Sequence, residues 1–135
     1  MAAASNYLEN KVLDHVLLGT PFAQPSSLYV GLFNNVSSNA ATNLEAGNLS
    51  DEVAVGAYAR SEVAFGPASG GVAANSAQIT FPVATAAWGT ITHVAILDAA
   101  VNGNVLFWGP AAVQKTIDTG DTFIIYTGNL TIALT

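Results

Sequence analysis

The chain has 135 residues, enough for one domain spanning 1–135, and no cysteine, which excludes disulfides, thiolate nucleophiles and Cys-ligated metals. Its acidic residues outnumber three cations, Lys11, Arg60 and Lys115, for a net charge of −6, so no nucleic-acid partner is expected. Charged residues make up 9% of the chain, against ~25% in an ordinary soluble domain, while 51% are hydrophobic, so the surface is weakly ionic and the composition is not that of disorder. The opening MAAASNYLEN lacks a positive n-region and carries Glu9, unlike a secretory signal. No apolar run approaches the ~20 residues of a membrane span, and no membrane partner is expected.

In chain order, the first element is a helix over about 6–18. Asn6, with Glu9 three positions later, reads as its capping residue. Leu8, Val12 and Val16 recur every fourth residue, with Leu13 and Leu17 beside them, and Gly19 and Pro21 end the run. Such a helix either lies over one end of a sheet or forms an arm on a neighbouring subunit. Leu28 to Phe33 reads as a strand. Asn34 to Asp51 is polar and without periodicity, a long loop of the kind that is functional or mobile. Ala57 to Phe65 reads as a strand, with Tyr58, Arg60 and Glu62 on one face and Val63 and Phe65 on the other. Gly66 to Asn75 is a Gly/Ala/Ser connector, and Ala77 to Phe81 is a strand stopped by Pro82.

The strongest local signal is a hairpin between Trp88 and Pro110. Thr90 to Asp98 is rich in β-branched residues, Val105 to Trp108 answers it, and Asn102-Gly103-Asn104 between them tolerates the positive φ of a tight turn. Both faces of the first strand carry apolar residues, so neither is left to water. Trp88 and Trp108 bracket this hairpin near its open end. Val113 to Ile117 and Thr122 to Tyr126 flank Asp118-Thr119-Gly120-Asp121 as a second hairpin, and Leu130 to Leu134 closes the chain. About eight short strands with turns between them and one leading helix predict a mainly β fold, an antiparallel β-sandwich of jelly-roll type.

Motifs that could carry chemistry are few. Asp118-Thr119-Gly120 after an apolar run is how aspartic proteases present a carboxylate, but Asp121 and a resumed strand make these four residues a turn. Asp118 and Asp121 alone are too few for a calcium cage. His15 falls on the polar helix face and His93 within a strand, neither at metal-ligand spacing. Ser61 and Ser69 lack a nucleophile elbow, and GPASGGV lacks the lysine of a phosphate loop. Arg60 and Glu62, two apart on one face, are expected to form a solvated pair. No catalytic, cofactor-binding or metal-ligating residue is assigned, and the expected role is non-enzymatic. The candidate interface residues are Tyr7, Leu8 and Val12 on the helix, with Tyr58, Trp88 and Trp108. So little ionic surface points to a protein covered by partners.

Taken together and in this order, NYLENKVLDHVLLGTP, LYVGLF, YARSEVAFG, WGTITHVAILDA, GNVLFWGP and KTIDTGDTF with its GNLTIAL tail resemble a family of small virion proteins of tailed bacteriophages. Members of that kind include tail-fibre proteins and cement proteins that decorate the capsid. The resemblance covers nearly the whole chain except 34–51. It implies a structural role on the virion and a homotrimer. The leading expectation is a cement protein on the outer capsid surface that binds the major capsid protein and stabilises the head. One alternative is a tail or tail-fibre component. Another is a carbohydrate-binding module using Tyr58, Trp88, Trp108 and the Asn-rich loop.

Overall fold

The structure is a computed structural model and describes residues 2–134; the domain span of 1–135 includes two terminal residues outside that range. In chain order the elements are β1 (Ala3–Ala4), α1 (Asn6–Leu18), β2 (Leu28–Phe33), α2 (Ala40–Glu45), β3 (Ser61–Val63), β4 (Val72–Ala74), β5 (Ile79–Thr80), β6 (Gly89–Leu97), β7 (Val105–Ile117), β8 (Ile124–Ile125) and β9 (Thr131–Ala133). Five strands form one antiparallel sheet in the order β1-β7-β6-β2-β3. Two short antiparallel ribbons, β4–β9 and β5–β8, form the layer packed against it. The fold is thus mainly β and antiparallel with one main helix at the N-terminus, as the turn spacing predicts.

The β6–β7 hairpin dominates the sheet. Ala95 faces Trp108 and Ile96 faces Phe107, and the turn is closed by Asn102 and Gly103 at φ 56° and 77°. The second strand is far longer than the four residues predicted. It runs through Gly109-Pro110 because β1 pairs only with Phe107 and Trp108, leaving an open edge beyond them, and a register shift in β6 between Ile91 and His93 faces Pro110. A proline that donates no ladder bond is tolerated at an edge or a bulge. The predicted second hairpin is absent, because β7 stays on β6 as far as Ile117 and β8 pairs with β5. Asp118 to Asp121 still forms a turn, held by the Asp121 N–H on the Asp118 carbonyl (3.0 Å), and it carries the chain from the sheet to the ribbon layer. Trp108 therefore lies mid-strand rather than at the open end.

Strand alternation gives the sheet two different apolar faces. Val30, Leu32, Ile91 and Ile96 pack with Ile79, Phe81, Trp88, Phe123 and Ile132 between sheet and ribbons. Trp88 is 1% exposed, meets Tyr58 edge-on at 5.4 Å, and donates its indole N–H to the Gly56 carbonyl (2.9 Å). Gly56 has φ 63°, and a Cβ there would lie 2.7 Å from the Ala86 carbonyl oxygen, so only glycine fits over the indole. On the opposite face Phe33, Ala95, Leu97 and Val105 pack with Leu44 of α2 and with Leu49 and Trp108. The 34–51 stretch is thus a structural cover carrying a short helix, not a featureless loop.

Three other expectations change. The predicted strand 57–65 shrinks to β3, because Gly56 and Ala57 both take positive φ and the Tyr58 and Arg60 side chains turn toward Glu52. The 66–75 connector holds β4, which pairs with β9. Arg60 pairs with Glu52, not Glu62: its Nε and one terminal nitrogen each donate to the Glu52 carboxylate at 2.7 Å. Its other terminal nitrogen reaches the Ala99 and Asn102 carbonyls at 2.7 and 2.8 Å, clamping the tip of the β6–β7 hairpin. Tyr58 donates to the same carboxylate (2.7 Å) and accepts from the Leu32 N–H (3.0 Å). Burial and then the Glu52 charge push the Tyr58 phenol far above its ordinary range, so it remains a donor. Replacing Arg60 by alanine leaves the Glu52 charge largely desolvated and frees two carbonyls. Arg60→Ala is expected to cost about 3 kcal/mol, read in a thermal melt as a fall of roughly 10 °C in Tm, whereas Glu62→Ala should leave the melt within a degree or two of the parent.

Candidate functional site

The cap of α1 is Ser5 rather than Asn6. Ser5 is fully buried; its hydroxyl accepts from the Leu8 N–H (3.3 Å) and donates to the Val105 carbonyl, and its own N–H donates to the Leu106 carbonyl (2.9 Å). These bonds pin the root of the helix to the start of β7. Gly19 closes the far end in a left-handed conformation (φ 73°). Between the two ends the helix leaves the body. Leu8 is its one buried residue, and every residue from Glu9 to Thr20 is exposed. Val12, Leu13, Val16, Leu17 and Leu18 lie open to solvent, from 42% at Val12 to 75% at Leu18. Of the two arrangements expected for this helix, lying over the sheet is the one not seen. Its apolar stripe is real, but only the first turn touches the domain.

A second apolar surface is open on the body. Where β7 outruns the ribbons, the two layers separate and leave two adjoining clefts of about 260 and about 230 Å³. They share Ile96, Phe107 and Ile132 as a common wall, so they lie on either side of Ile132 of β9 as one interrupted trough. Exposed Val113, Tyr126 and Leu134 stand along its rim. Among the described residues Lys115 is the only charged one in its lining.

The remaining candidate residues fall as follows. Tyr7 is half-buried at the helix root with the Lys11 ammonium 5.7 Å from its ring centroid. Val12 lies on the exposed arm. Leu8 and Trp88 belong to the interior and offer no surface to a partner; Trp88 presents no ring face to a sugar. Tyr58 is spent on the Glu52 network. Trp108 is half-buried and donates its indole N–H to Glu45 of α2 (2.7 Å). Sequence reasoning missed Leu18, Val113, Tyr126 and Leu134, because their exposure depends on which layer covers which strand.

The chemical motifs do not converge. The Asp121 carboxylate accepts from the Asp118 N–H (2.9 Å), both residues are exposed, and the DTG stretch is a turn. Among the described residues no three His, Cys, Asp or Glu side chains gather as metal ligands. His93 bonds the Thr92 hydroxyl (2.9 Å) and lies 6.4 Å from the Trp108 ring; burial lowers its pKa, with the Asp51 charge opposing. His15 meets the Thr20 carbonyl at 3.0 Å. What the molecule presents is a β-rich scaffold whose unfinished surfaces are apolar and whose polar clusters hold loops in place.

The chain from residue 3 to residue 133 matches the family model described as Podophage GP4 fiber I protein gp80, and the protein belongs to that family. No curated protein matches it. A phage fibre family agrees with the resemblance to small virion structural proteins and makes this a virion structural protein. The match favours the tail-fibre alternative over the capsid-cement role.

One buried carboxylate secures the cover over the second core. Asp51 accepts from the Ser37 N–H (2.8 Å), the Ser37 hydroxyl (2.6 Å) and the Asn43 amide (3.1 Å). Burial pushes its pKa up, but the Ser37 and Asn43 hydrogen bonds outweigh this and hold it below the ordinary value. A depressed folded-state pKa gives stability that is present above the unfolded value near ~3.9 and lost as pH falls through the folded value. Asp51→Asn is expected to unfold about 2 kcal/mol more easily at pH 7, with the gap to the parent closing in urea titrations taken below about pH 4. A gap that stays constant into acid would show that the ionised carboxylate is not what holds the cover.

Proposed function

We propose that this protein is a non-enzymatic structural subunit of the tail fibre apparatus of a bacteriophage virion. The observation that carries the reading is the match of residues 3–133 to a phage fibre family. The physical description agrees with it. Two of its carboxylates serve structural bonds: Glu52 holds Arg60 and Tyr58, and Asp51 holds Ser37 and Asn43. A fibre subunit needs a rigid β scaffold and apolar surfaces for its neighbours, and both are present.

Location and copy number test this. Quantitative densitometry of purified virions against the major capsid protein is expected to give a handful to dozens of copies, with immunogold label at the tail. Hundreds of copies per particle, with label spread over the head, would instead return the cement role and its partner, the major capsid protein.

A further inference from the structure

Two apolar surfaces of this chain are left open, the α1 arm and the trough beside β9. We infer that the α1 arm of one copy seats in the trough of a second copy, so that the chains assemble by exchanging arms. This goes beyond a tail or head location and holds for either.

The arm cannot be explained by its own domain. A helix of 13 residues is about 20 Å long, and isolated helices of ~12–15 residues are marginal in water; this one is rooted only at Ser5 and Leu8. Its exposed row of Val12, Leu13, Val16 and Leu17 presents an apolar patch on the order of 400 Å², within the range of the largest patch a monomer leaves open, and Leu18 is exposed on another side of the same turn. The trough is the matching hollow. A cavity of ~150 Å³ holds one benzene, so the two clefts of about 260 and about 230 Å³ have room for side chains of the size of leucine and valine.

Charge and area favour a second copy as the occupant. Among the described residues the trough carries one cation, Lys115, and no carboxylate, while the arm carries two carboxylates, Glu9 and Asp14, against one cation, Lys11. One arm alone falls short of the ~800 Å² per partner of a stable interface. In a closed ring each copy both gives an arm and receives one, which roughly doubles the area each contributes. No residue of α1 lines the trough of its own chain, and the Ser5 bonds to the Val105 and Leu106 carbonyls hold the root of the arm at the start of β7.

The test uses the full chain and exposed positions, so folding is spared. Leu13→Glu with Leu17→Glu disables the arm; Ala112→Glu, at an exposed residue in the trough lining, disables the hollow. Mass is read by sedimentation equilibrium, with far-UV circular dichroism and a thermal melt confirming the fold. The parent is expected to be an oligomer and each variant a monomer. A monomeric parent overturns the inference, whatever the virion location proves to be. So does an Ala112→Glu protein that keeps the parent mass, which would mean that arms bundle with arms.

Discussion

The antiparallel pairing of β6 with β7 is the constraint on which the rest of the molecule hangs. It sets every side chain along Thr90–Leu97 to one of two faces, and both faces are apolar. A hairpin of this composition cannot leave either side to water, so it must acquire two covers. The ribbons β4–β9 and β5–β8 supply one, and α2 with the 34–51 stretch supplies the other. A shift of one residue in this register would exchange the two faces and misplace both covers at once.

A chain with so few charges uses them structurally. Arg60 is tied in a fork to Glu52 and reaches two carbonyls at the hairpin tip, so one guanidinium joins the loop after α2 to the turn between β6 and β7. Asp51 performs a similar service for Ser37 and Asn43. Both acids are adjacent in sequence and stand where the cover returns to the sheet. Charges committed in this way cannot also keep neighbouring molecules apart. The low ionic content of the surface is therefore the counterpart of the buried polar anchoring, and both suit a protein that works in an assembly.

The same geometry leaves two surfaces unfinished. β7 is longer than the ribbons that cover it, so the trough opens where the layers part. α1 is held by its first turn and no further. A fibre subunit is the kind of protein in which such surfaces have a use, because its neighbours complete what the single chain does not bury.

Local pattern determined much of this protein. The β-branched run of 90–98, the Asn-Gly turn, the Gly19 stop and the 28–33 strand were legible because each rests on short-range preferences. The mainly β class followed from turn spacing, and the run of segments in order carried the resemblance to phage virion proteins. The tertiary structure alone decided that β7 continues through Pro110, because that depends on an edge left open by the two-residue β1. It alone placed Trp88 inside and Trp108 on the opposite face, gave Arg60 to Glu52 rather than Glu62, and moved the helix cap to Ser5 by bonds to Val105 and Leu106. It also left Val12, Leu13, Val16 and Leu17 uncovered. An amphipathic stripe shows that a face seeks burial, but which surface buries it is set by contacts between residues distant in the chain, and those are not written in local spacing.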